Sequence, residues 1–205
     1  MFRKIWAVRL GIMLFAALIM AGCGSGDKSS GPTATPLPGT LLDPPKEVSD
    51  FTLTSNANQP FHLSDLRGKV AVLFFGYTHC PDVCPTTMAD FKRVKADLGD
   101  DAARVAFVFI SVDGARDTPD RLATYVHAFD PDFIGLTGDD ATLRAIAKDY
   151  GVFFQRVNYD NPDNYLVDHT ATSFAVGPEG KLRVVFSYQS DPAGMAQRIR
   201  SLLEK

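Results

Sequence analysis

The sequence predicts an α/β fold in which a mixed central sheet is flanked by helices and preceded by an N-terminal β-hairpin. Two nearly continuous apolar runs, residues 69–77 (KVAVLFFGY) and 105–112 (VAFVFISV), read as strands covered on both faces. A segment of helical character follows each run, which is the order of βα units. Two short apolar segments flanking GPEG (residues 177–180) add an antiparallel hairpin near the C-terminus.

Each element has its own local reason. Residues 50–54 (DFTLT) alternate as a short strand, residues 55–59 supply a turn, and residues 60–63 return as the hairpin partner. In residues 86–98, Met88, Phe91, Val94 and Leu98 recur at helical spacing, with Pro85 suited to the first helical position. Thr118 followed by Pro119 announces a second helix, and a third begins near Asp139 and stops at Gly151. Residues 133–136 form a short strand between these two helices. Residues 172–176 and 182–187 flank the GPEG turn, and Asp191 with Pro192 caps a closing helix. Phe107, Phe109, Phe153 and Phe154 are expected in the core.

At 205 residues the chain holds one well-cored domain plus attachments. A net charge of -3 gives no electrostatic basis for nucleic-acid binding. At the N-terminus, Arg3, Lys4 and Arg9 precede or flank an apolar stretch over residues 10–20, followed by Ala21, Gly22 and Cys23. This pattern reads as an export signal over residues 1–22, its apolar run falling short of the roughly 20 residues of a membrane span. Small residues before a single cysteine resemble a bacterial lipobox, which makes Cys23 the expected site of lipid attachment. The expected location is therefore extracytoplasmic, on a membrane, as a lipoprotein. Residues 23–46, a Gly, Ser, Thr and Pro mixture, read as a flexible tether, leaving residues 47–205 as the folded domain.

Setting Cys23 aside leaves Cys80 and Cys84, in GYTHCPDVCPTTM (residues 76–88), as the only thiols of that domain. A disulfide-stapled scaffold carries several pairs, and a loop this short gains little stability from closure. The pair is better suited to redox exchange or to metal binding. Both cysteines precede proline, a position biased away from helix, so both are expected in an extended or turn-like loop. Cys84 lies at the cap of the following helix, where free amides and the macrodipole favour a thiolate.

Two soft ligands require a third donor, and four histidines are available. His62 and His127 suit structural or surface roles, and His79 adjoins Cys80 in an extended loop where neighbouring side chains diverge. His169 ends a polar loop (residues 158–168) and precedes an edge-type strand, from which its ring can lean over the cysteine loop. Spacing alone leaves it open whether the ring is a ligand or merely solvated. Residues 111–119 (SVDGARDTP) read as a packing and capping loop near the site.

YTHCPDVCP (residues 77–85), SVDGARDTP (residues 111–119) and VDHTATSFAVGPEGKL (residues 167–182) resemble, in order and spacing, the signatures of the Sco (SenC, PrrC) copper proteins. The resemblance extends from about residue 48 to the C-terminus. It implies a thioredoxin-like fold and a site in which Cys80, Cys84 and His169 bind Cu(I) or Cu(II). It further implies a role in building the dinuclear copper centre of cytochrome c oxidase subunit II, by copper delivery or by reduction of that subunit's cysteines. Many relatives use a transmembrane anchor, so membrane attachment here rests on Cys23 alone. Two thiolates and one imidazole form a soft set suited to Cu(I), whereas zinc prefers a fourth ligand, for which Asp82 or Asp168 is at hand. Asp168 is also a candidate to orient His169.

Three functions follow as expectations. The first is a metallochaperone that turns over no substrate, and the second is a thiol-disulfide reductase cycling Cys80 and Cys84. A peroxiredoxin-like peroxidase is the third, suggested by FxL, LRGK and an apolar strand. It fails on its own motif, because PxxxTxxC counted back from either cysteine meets Tyr77 where Pro or Thr is needed.

Overall fold

An eight-stranded mixed sheet carries the core, in the order β1-β10-β9-β4-β5-β6-β2-β3. The computed structural model describes residues 36–157 and 165–204. Its strands are β1 (Thr40–Lys46), β2 (Thr52–Ser55), β3 (Pro60–His62), β4 (Val70–Gly76), β5 (Val105–Ser111), β6 (Ile134–Thr137), β9 (Ser173–Val176) and β10 (Leu182–Phe186). Two further strands, β7 (Phe154–Val157) and β8 (Leu166–His169), pair antiparallel as a separate sheet. The helices are α1 (Val83–Leu98), α2 (Pro119–His127), α3 (Asp140–Tyr150) and α4 (Pro192–Leu203).

The two apolar runs become the central parallel pair β4 and β5, with every residue of both strands buried. Burial on both faces is what makes their sequences continuous rather than alternating. β9 flanks β4 on its other side, antiparallel, and β6 extends the parallel set beyond β5. α1 packs against α4, while α2 lies against β6. The caps follow the sequence. Thr118 accepts from the Arg121 amide, Asp139 from Thr142 and Asp191 from Gly194, and Gly151 closes α3 in the left-handed region at φ 68°.

Four expectations are corrected. Residues 40–46, assigned to the tether, form β1 along β10, because the backbone of even a proline-bearing segment can satisfy a sheet edge and Leu42 packs against the core. Cys84 is helical, at the second position of α1. Pro85 then occupies the third position, where a missing N–H costs nothing because first-turn amides have no partner within the helix. β9 is an interior strand rather than an edge, and the segment before it is the strand β8 rather than a loop up to residue 168. Phe153 is 61% exposed, while Phe154, Phe107 and Phe109 are core as expected.

Candidate metal centre

β4 ends at Gly76 and α1 begins at Val83, so the cysteine loop spans the carboxyl end of a central strand and a helix N-terminus. Open α/β sheets bind their ligands at this kind of place. Cys80 is half-buried at the rim and Cys84 is fully buried beneath it, both as free thiols. The Cys84 amide donates to Cys80 Sγ at 3.5 Å. The thiol groups differ sharply in character. A hydrogen bond from Cys84 holds the Cys80 thiol well below its ordinary pKa against the cost of burial, helped by the amides of Asp82 and Cys84. Burial, and then the neighbouring Cys80, push the Cys84 thiol up.

His169, the last residue of β8, brings Nε2 to 3.4 Å from Cys84 Sγ. The ligating atoms of Cys80, Cys84 and His169 all lie within 4.8 Å of one another. Thr170 O, which can only accept, lies 3.1 Å from Nδ1, so Nδ1 carries the hydrogen and the Nε2 lone pair faces the sulfurs. The rings of Phe74 and Tyr77 meet the imidazole edge-on, each with its centroid 5.8 Å away. The histidine is thus fixed in tautomer by a carbonyl and in tilt by two aromatic walls.

The other expected residues fall differently. Asp168 is exposed, because residues of a strand alternate and it faces away from the side of β8 that carries His169; the Thr170 carbonyl takes the orienting role. Asp82 is the N-cap of α1 without a side-chain cap bond, and what it offers the site is its backbone amide. Neither carboxylate stands as a fourth ligand. His62 bonds Thr52 and His127 bonds Asn56, both away from the thiols. Cys23 lies outside the described residues.

Beneath the loop sits a polar cluster that the sequence indicated only as a packing segment. Asp117, fully buried, accepts from the Thr78 amide at 2.9 Å, the Thr78 hydroxyl at 2.6 Å and the Ser111 hydroxyl at 2.7 Å. It thereby ties the residue two before Cys80 to the end of β5. Asp113, also fully buried, accepts from the Tyr165 hydroxyl and from Arg116 Nε, each at 2.5 Å. The Arg116 guanidinium stacks 3.5 Å from the centre of the Tyr165 ring, joining this cluster to the strand that carries His169. His79 turns into this cluster, 3.7 Å from Asp117, and burial with Arg121 and Arg116 nearby holds its pKa down.

The SCO1/SenC family model matches residues 40–204, essentially the whole described fold. The chain belongs to the SCO1/SenC family. A SCO2-like protein of Rickettsia felis is 35% identical over 144 residues, 70% of each chain. Among solved structures, the apo Sco1 protein of Thermus thermophilus is 42% identical with a TM-score of 0.74, over 84% of this chain and 99% of that one. ScoI of Bradyrhizobium japonicum, solved with copper bound, is 35% identical with a TM-score of 0.70, over 76% and 98%. The chain spans about half the length of the mitochondrial yeast Sco2, 52%. The mixed α/β sheet is thus the thioredoxin-like fold of SCO1/SenC proteins, and β1, at the start of the matched region, is part of it.

Proposed function

We propose that this chain is a copper carrier, with Cu(I) held by Cys80, Cys84 and the Nε2 of His169. The carrying observation is the convergence of two thiols and one imidazole lone pair within 4.8 Å. The donor set is soft and low in coordination number, which suits Cu(I) better than zinc. The copper-bound state of the Bradyrhizobium relative supports the same reading. Cys80 at the rim gives an acceptor's thiol access for ligand exchange, while buried Cys84 and His169 keep the metal in place until then. The acceptor we assign is the dinuclear copper site of cytochrome c oxidase subunit II, on the strength of the resemblance to Sco proteins. Attachment by lipid at Cys23, on the extracytoplasmic side of a membrane, completes the proposal; Cys23→Ser should move the chain into the soluble fraction.

The test is copper titration of the reduced protein beside Cys80→Ser, Cys84→Ser and His169→Ala, following sulfur-to-copper charge transfer. Loss of the signal in all three variants is expected. Survival in His169→Ala would overturn the three-ligand site.

The unequal thiols favour one second reading, reduction of an acceptor's disulfide. The Cys80 thiolate attacks one sulfur and expels the other as a thiolate. Cys84 then gives its proton to that expelled thiolate and attacks Cys80 Sγ, releasing the acceptor's other sulfur with two electrons gained by the acceptor and leaving Cys80 and Cys84 joined. His169→Ala should spare this activity, so assaying that variant for both activities separates the readings.

A further inference from the structure

We propose that Gly76 is a positioning residue for the metal site, its missing side chain forming the slot in which the Cys84 thiol lies. The inference rests on the copper-carrier reading for its functional consequence, though not for its geometry.

Gly76 ends a strand whose six preceding residues are Val70, Ala71, Val72, Leu73, Phe74 and Phe75. Glycine there forfeits packing and strand propensity, and in a strand it commonly marks the close approach of another group. The approaching group is identifiable. A methyl carbon placed on Gly76 would lie 2.7 Å from Cys84 Sγ, 2.9 Å from Phe109 Cε2 and 2.9 Å from Phe74 Cε1. Ordinary non-bonded contact begins at about 3.5 Å, so something must move by close to an ångström. Phe74, Phe109 and Cys84 are all fully buried, leaving no solvent side to retreat into. The Gly76 backbone is held as well, its carbonyl accepting from the Val112 amide at 2.8 Å.

A cysteine has one side-chain torsion. Its sulfur yields to a methyl group either by turning to another staggered position or by carrying the start of α1 outward. Both moves spoil the 3.4 Å approach to His169 Nε2. The second neighbour leads to the same place, because Phe74 is also one of the two rings that wall the imidazole. Gly76 therefore reaches both a sulfur and the nitrogen donor without touching the metal. A soft three-donor site tolerates little displacement, since every donor is needed.

The test uses the reduced full-length chain and Gly76→Ala. Iodoacetamide labelling of Cys84 under native conditions, read by mass spectrometry of its peptide, should be at least tenfold faster in the variant. Competition for Cu(I) against a chromophoric chelator should show at least tenfold weaker binding. Unchanged labelling or unchanged copper affinity would each overturn the proposal. Should Gly76→Ala fold poorly, the same substitution in a Cys84→Ala background decides. Removing the sulfur takes away the shortest of the three contacts and gives the two rings room to yield, so the alanine should lower the urea midpoint less there than in the parent chain. Equal losses in both backgrounds would overturn the assignment of the slot to the thiol. If Cys84→Ser binds copper as the parent does, the carrier reading falls, while the labelling and the background comparison still report on Gly76.

Discussion

Cys80 and Cys84 sit four residues apart yet have pKa values displaced in opposite directions, because one lies at the rim among hydrogen-bond donors and the other lies beneath it in the core. Cys80 is therefore a thiolate at neutral pH, and its alkylation rate should stay flat from pH 8 downward until acid conditions protonate it. The sign follows from the donors: each favours the charged form and lowers the pKa. Cys84→Ala removes the largest of them, so the midpoint of the Cys80 rate profile should move up toward the ordinary thiol value of about 8.5. A profile that does not move would show that the Cys84 hydrogen bond is not the cause. At this scale motif spacing grouped Cys80, Cys84 and His169 correctly, but the thiolate expected at Cys84 is overturned, because burial there outweighs the helix N-terminus and the low-pKa thiol is Cys80. The sequence was misleading about Asp168, since adjacency in the chain is not adjacency in space: strand alternation turns that carboxylate outward and leaves the Thr170 carbonyl to hold the ring.

The β7–β8 hairpin was not legible as an element. Each strand has only four residues, too few for a period to show, and the eight residues between them, rich in Asn, Asp and Pro, read with the second strand as one polar loop. What holds it is tertiary. Phe154 lies opposite His169 in the register and is buried, with the Arg144 guanidinium stacked 4.5 Å from its ring centre. Phe154→Ala should lower stability by about 3–5 kcal/mol, the usual cost of emptying an aromatic core position, as read from urea unfolding. A loss of only a few tenths would mean the hairpin is anchored elsewhere. By contrast β4, β5 and the last three helices were legible because burial on two faces and side-chain caps leave direct marks in sequence. The start of α1 was not, since the bias of a residue before proline gave way to a helix whose first turn has no use for the proline N–H.

At the scale of the molecule, the three converging donors come from two sheets. The thiols hang from the end of β4, and the imidazole ends a strand of the small separate sheet 85 residues beyond Cys84. Composition and periodicity gave the sheet and the helices, but only the folded chain shows that Arg116 and Tyr165 tie the loop beneath the thiols to the strand bearing the histidine. The sequence also placed the boundary of the folded part too late, because low apolar content argues against a core without arguing against an edge strand. β1 is mostly exposed and is held along β10 by its backbone, and residue 47, the expected start of the domain, lies just past its end.

The choice of cloning boundary therefore decides solution behaviour. A fragment beginning at residue 47 would bare the β10 backbone as a template for self-association, and light scattering should find it aggregating on standing, whereas one beginning at residue 36 stays monodisperse. The leading segment works as a selvedge, the finished border that keeps a woven cloth from unravelling into its neighbour.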